Sequence, residues 1–159
     1  MNDESTLQML KHYHQADDLE IYMDLDSKIF HFSYRGRVDG SNFYLPYQYA
    51  EAIYNQTNGQ IKGIIGDFSG VEGFEEGSLR LACSQQLVDA LLAKVSNIPI
   101  ALIASNRIQA MFLHMASRAS HTYRQTSIVK SMQDAIDYIT TYTPSAPNSN
   151  NFNQLPSAV

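Results

Sequence analysis

Hydrophobic and polar positions alternate most clearly near the N-terminus. Leu19, Ile21, Met23 and Leu25 are interleaved with Glu20, Tyr22 and Asp24. After a turn at Asp26-Ser27, Phe30, Phe32 and Tyr34 are interleaved with His31, Ser33 and Arg35. A period of two places alternate side chains on opposite faces, so the pair predicts an antiparallel hairpin with one buried face. Gly36 and the run Asp39-Gly40-Ser41-Asn42 break the pattern. Ahead of the hairpin, Ser5 and Gln8 resemble a capping box, with Leu7, Leu10 and His14 to one side, which predicts a short helix over 4–13.

Beyond residue 45 the period changes. Pro46 suits a first helical turn; Ala50, Ile53 and Tyr54 follow at helical spacing, and Gly59 ends the run. Residues 61–67 (Ile61, Ile64 and Ile65, thinned by Gly63 and Gly66) lack polar alternation and read as a central strand covered on both faces. The two glycines predict close helix approach. The chain is expected to leave the sheet at Asp67, cross a Gly-rich acidic loop and enter a helix over 78–95, whose stripe is Leu79, Ala82, Cys83, Leu87, Val88, Leu91, Leu92 and Val95. Ile98–Ser105 is a second apolar strand. Ser105 or Asn106 then caps a helix with the face Ile108, Met111, Phe112, Met115, Ala116 and Ala119. Residues 123–129 read as a short strand, and Ser131 with Asp134 opens a last helix burying Met132, Ala135, Ile136 and Ile139. The alternation of strands and helices predicts an α/β fold: a mixed, mainly parallel sheet opened by an antiparallel hairpin, with about four crossover or flanking helices.

Composition narrows the function classes. The 159 residues suit one domain, divided as an extension (1–17), a folded body (18–142) and a Pro/Ser/Asn tail (143–159) expected to be disordered. With 11 basic against 16 acidic residues and no basic run, nucleic-acid binding is disfavoured. One cysteine excludes an internal disulfide and suits a reducing, cytoplasmic setting. The acidic N-terminus MNDESTLQML, with no long apolar run behind it, does not read as a signal peptide, and no apolar run approaches the ~18 residues of a membrane span.

The ordered set IIGDFSGVEG (64–73), IPIALIAS (98–105) and DAIDYI (134–139) resembles the STAS superfamily, and more closely its stand-alone SpoIIAA-like bacterial proteins. The resemblance covers roughly residues 18–140 and implies a regulatory, protein-binding domain without catalysis or cofactor. Anti-sigma factor antagonists carry a pattern like DLSGVxFxDSSGLR, with a serine phosphorylated by a partner kinase. Asp67-Phe68-Ser69-Gly70-Val71 matches its opening; the phospho-acceptor position falls on Glu76, and Ser78 lies two residues on as the nearest modifiable hydroxyl. The implied partner surface is the loop containing Asp67, Ser69, Gly70, Glu72, Glu75, Glu76 and Ser78, with a kinase, anti-sigma factor or other protein as partner. A homodimer is compatible with the exposed hairpin edge.

Other clusters admit a bland reading and a functional one. Glu72, Glu75 and Glu76 near a helix start either complement its dipole, form a contact surface or act as paired acid and base. Gly70, Gly73 and Gly77 lack the GK[ST] of a phosphate loop, and no GxSxG elbow exists. His12 and His14 lack further ligands at metal spacing. Arg107, His114 and Arg118 form either a solvated basic edge or a site for an anion or acidic partner. Met111, Phe112 and Met115 are expected in the core. The alternative is an adaptable apolar pocket with Tyr54 and its neighbouring tyrosines at the mouth, as in a lipid or small-ligand carrier. SpoIIAA-like domains are topologically akin to lipid-binding CRAL-TRIO domains. Cys83, on an apolar stripe, reads as a buried thiol.

Overall fold

The two alternating runs pair as the pattern predicts. A computed structural model describes residues 9–75, 97–119 and 125–144. In it β2 (Leu19–Asp24) and β3 (Ile29–Val38) form an antiparallel hairpin, with Ile21 opposite Phe32 and Met23 opposite Phe30. The Asp24 carboxylate accepts from the Asp26 and Ser27 amides at 3.0 and 3.3 Å, and Lys28 takes a positive φ of 59°, which together close the turn.

The helix expected over 4–13 does not form over its described part. Residues Leu10–Gln15 are instead a strand, β1, antiparallel to β2. An isolated helix of that length is marginal in water, whereas the edge of β2 offers a ready ladder of backbone partners. The edge of the hairpin is therefore covered by β1.

From β3 onward the sheet is parallel. Helix α1 (Leu45–Gln56) crosses to β4 (Gly63–Phe74), which pairs with β3. β5 (Ile100–Ile103) pairs with β4, and β6 (Thr126–Val129) with β5, so strand order in the six-stranded sheet follows the chain. Helix α2 (Arg107–Ala119) joins β5 to β6, and α3 (Met132–Thr141) follows β6. Ser131 caps α3, its hydroxyl accepting from the Asp134 amide at 3.1 Å. These are three helices among the described residues; the expected helix over 78–95, with Cys83, lies outside them, as do residues 1–8 and the tail from 145.

The sheet has two unlike faces. Leu19, Ile21, Phe30, Phe32, Tyr34, Ile64, Phe68 and Leu102 face α1 and α2 in the larger core, closed by Ala50, Ile53, Phe112 and Leu113. Ile29, Ile65, Ala101 and Ile103 face α3, through Ala135 and Ile139, in the smaller one.

β4 departs most from expectation. It does not leave the sheet at Asp67 but continues to Phe74, because β3 is also longer than its alternation indicated and pairs with it up to Val38. Two register irregularities, between Ser33 and Arg35 and between Gly36 and Arg37, shift the pleat. Buried positions on β4 then fall at Phe68 and Val71, three apart rather than two. A bulged strand of this kind reads as a loop in sequence. The two glycines of β4 do allow close approach, each to a different neighbour. A side chain at Gly63 would collide with Ile139 of α3, and one at Gly66 with the Phe32 ring of the adjacent strand.

Candidate functional site

The extension of β4 brings its far end against α2, and the contact has three parts. Phe74 stacks on Phe112 with ring centroids 3.7 Å apart and planes 12° from parallel. The buried side chain of Gln109 donates to the Val71 carbonyl at 2.9 Å and lies 3.4 Å from that of Ser69. Its oxygen in turn accepts from the Ser105 amide at 2.7 Å and is 3.0 Å from the Ser105 hydroxyl. Gln109 thus acts as a strut, fully satisfied as a buried amide must be, that fixes the spacing of α2 from β4.

Between the two elements runs a groove of about 290 Å³, lined by Val71, Glu72, Gly73, Phe74, Asn106, Ile108, Gln109, Met111, Phe112 and Met115. Phe112 is buried, as expected of a core residue. Ile108, Met111 and Met115 are not: they are 71%, 61% and 45% exposed. The expected inward face of α2 is therefore corrected: its Ile108–Met111–Met115 flank borders open space. Tyr54 is not among the lining residues; it lies on α1, where its ring packs under Gly59.

The acidic segment divides. Ser69 is folded onto Asp67, whose carboxylate accepts from its amide at 2.9 Å and its hydroxyl at 2.6 Å. Glu75 is paired with Arg37 at 3.2 Å. Glu72 is exposed on the rim of the groove, and Gly70 packs against the Tyr34 carbonyl, 3.0 Å from where a Cβ would stand. Glu76 and Ser78 lie outside the described residues. Among the described residues of the expected contact surface, Glu72 is the one that lines the groove. Phe74, Asn106, Ile108 and Gln109 were not read from the sequence as site residues, because the β4 extension is what brings residues more than 30 positions apart together.

A second cleft lies on the other flank of α2. It measures about 590 Å³ and is lined by Ala104, Ser105, Asn106, Arg107, Ala110, His114, Ile128, Val129 and Lys130. Arg107 and His114 come together here as the sequence allowed; Arg118 does not line it, and Lys130 does.

A third depression, about 260 Å³, lies on the β1–β3 part of the sheet face that α3 covers elsewhere, and includes His12, Glu20, Tyr22, His31 and Asp67. His31 stacks on Tyr22 with centroids 4.6 Å apart and is only 7% exposed; burial lowers its imidazole to about 4, against a smaller opposing pull from Asp24. His12 and His14 do not converge: a register irregularity between them leaves His12 3.6 Å from Glu20 and His14 near the Tyr49 ring. Among the described residues no group of three or more His, Cys, Asp or Glu is placed to hold a metal ion, and no helix is long and apolar enough to cross a membrane.

No protein-family model and no curated protein matches the chain. Solved structures similar to it include these two. One, from Shewanella loihica PV-4, is described as an uncharacterized protein of the DUF3478 family with a SpoIIAA-like fold; it is 14% identical, with a TM-score of 0.46, over 87% of this chain and 99% of its own. The other, the NMR structure of the protein TM1081, is 14% identical with a TM-score of 0.46, over 83% of this chain and 94% of its own. Hairpin, parallel strands and helices stand in the order that the resemblance to the STAS superfamily implies, and the likeness is one of fold.

Proposed function

We propose that the protein is a non-catalytic interaction module that receives an apolar, helical segment of a partner protein in the groove between β4 and α2. One observation carries this reading: three large apolar side chains, Ile108, Met111 and Met115, stand exposed in a row along the groove. From Ile108 to Met115 the row spans about 10 Å of helix at 1.5 Å per residue, a length suited to two turns of an amphipathic helix. Methionine side chains adapt to varied apolar surfaces at low cost. Glu72 on the rim, with no ion-pair partner among the described residues, favours a basic residue flanking the apolar face of the partner. An apolar-ligand carrier is the weaker reading, because a carrier encloses its ligand and these three side chains face solvent.

The test couples partner capture to reconstitution. A Met111→Glu/Met115→Glu variant is expected to lose a partner that the wild type and a distant His12→Ala control retain. The isolated partner segment is expected to shift the amide resonances of 71–74 and 108–115 of the wild-type protein. A partner that binds the double variant undiminished rejects the groove as the contact.

A further inference from the structure

The cleft on the β6 flank of α2 differs from the groove in charge as well as in size. Arg107 and His114 on α2 and Lys130 after β6 line it, with no Asp or Glu among the described lining residues. None of the three has an acidic partner within ion-pair distance among the described residues. In a chain of formal net charge −5, a concave site with basic and no acidic side chains among its described lining residues gathers a positive potential that the molecule as a whole does not have.

Helix geometry builds the basic wall. Arg107, Ala110 and His114 are spaced by three and four residues and so form one stripe of α2, a different stripe from Ile108, Met111 and Met115. Lys130 is carried in from the opposite side. The Val129 carbonyl accepts from the Ala104 amide at 2.9 Å, which pins the ends of β5 and β6 together directly beneath the start of the helix. Of the remaining lining, Ala104, Ala110, Ile128 and Val129 are aliphatic, and Ser105 and Asn106 are polar and uncharged. The site stands outside the carboxyl ends of two adjacent parallel strands, where open α/β sheets receive ligands.

We propose that this cleft binds a small organic phosphate. Arg107 supplies a planar fork for two phosphate oxygens, Lys130 a point charge from the facing side, and the aliphatic floor a surface for the carbon skeleton. The positive end of α2 adds to the same field. The assignment is independent of the partner groove, which lies on the other flank of the helix.

The experiment is an amide-resonance titration of the full chain with glycerol 3-phosphate, and separately with inorganic phosphate, at ionic strength held constant with sodium chloride. Saturable shifts confined to Ser105–Ala110 and Ile128–Lys130 are expected, with the organic phosphate binding more tightly than the inorganic ion. Arg107→Gln and Lys130→Gln should each weaken binding roughly tenfold, and Arg107→Lys less so, because a lysine keeps the charge but not the fork. Both side chains are exposed, so unchanged thermal melts are expected to certify that the variants fold. Several results would overturn the assignment. These are shifts that fail to saturate, an equal response to chloride alone, a double Gln variant that binds as the wild type does, or a response to an acidic peptide in place of either phosphate.

Discussion

His31 is a residue whose chemistry departs far from its free behaviour. Its ring lies buried against Tyr22, and its Nδ1 has no hydrogen-bond partner among the described residues. Burial disfavours the imidazolium, so the folded chain holds this site neutral down to about pH 4, whereas the unfolded chain protonates it near 6.5. The unfolded state therefore binds the extra proton throughout the interval between those values. Stability is complete above about pH 6.5, falls as the pH drops, and stops falling on this account below about 4, with a total loss of up to about 3 kcal/mol. Asp24 opposes the shift in part, and His12, Glu20 and Asp67 border the same depression. Urea unfolding at pH 7.5 and pH 4.5 should show this loss in the wild type and little of it in His31→Phe, where nothing in that position titrates. Equal pH dependence in the two proteins would remove His31 as the cause. Nothing in the sequence announced this behaviour: His31 reads as one polar residue in an alternating strand, and its burial comes from the stack with Tyr22 across the hairpin.

At the scale of elements, legibility followed period. The β2–β3 hairpin, α1, the apolar strand β5 and the capped α3 were all visible, because each keeps one hydrophobic period and ends on a Gly, Pro or capping residue. β1 was hidden: Leu10-Lys11-His12-Tyr13-His14 fits neither period well, and its strand conformation comes from the edge of β2. The far half of β4 was hidden for a different reason. Its buried positions keep neither period, since the irregularities opposite β3 turn Val71 inward where strict alternation from Phe68 would place Gly70. Gly63 was legible as a point of close approach, although its neighbour was not. The ring of contacts from Ile139 leaves no room for a larger side chain. Gly63→Val is accordingly expected to overpack the smaller core and destabilise the fold by about 1–3 kcal/mol, even though valine is the better strand former. Chemical denaturation measures the difference, and Ile139→Ala in the same chain should recover part of it by vacating the space. If Gly63→Val is neutral or stabilising, strand propensity outweighs packing and α3 is not tightly seated on β4.

In the whole molecule α2 is a partition. Its buried row, Phe112 and Leu113, anchors it to the larger core, while one flank presents an apolar groove and the other a basic cleft. The sequence showed the amphipathic helix but assigned Met111, Phe112 and Met115 to one environment, since helical spacing alone cannot distinguish a core residue from its neighbour around the cylinder. The strut of Gln109 and the stacking of Phe74 on Phe112 set that rotation. Stability measurements separate the two environments without knowledge of any ligand. Phe112→Ala removes a buried ring held between Phe74 and Phe43 and is expected to cost about 3–5 kcal/mol. Met111→Ser removes a side chain that faces mostly solvent and should change stability by no more than about 0.5 kcal/mol. A near-neutral Met111→Ser combined with weakened partner binding is what a surface kept apolar for recognition requires. A loss comparable to that of Phe112→Ala would instead place Met111 in the packed interior and close the groove as a docking surface.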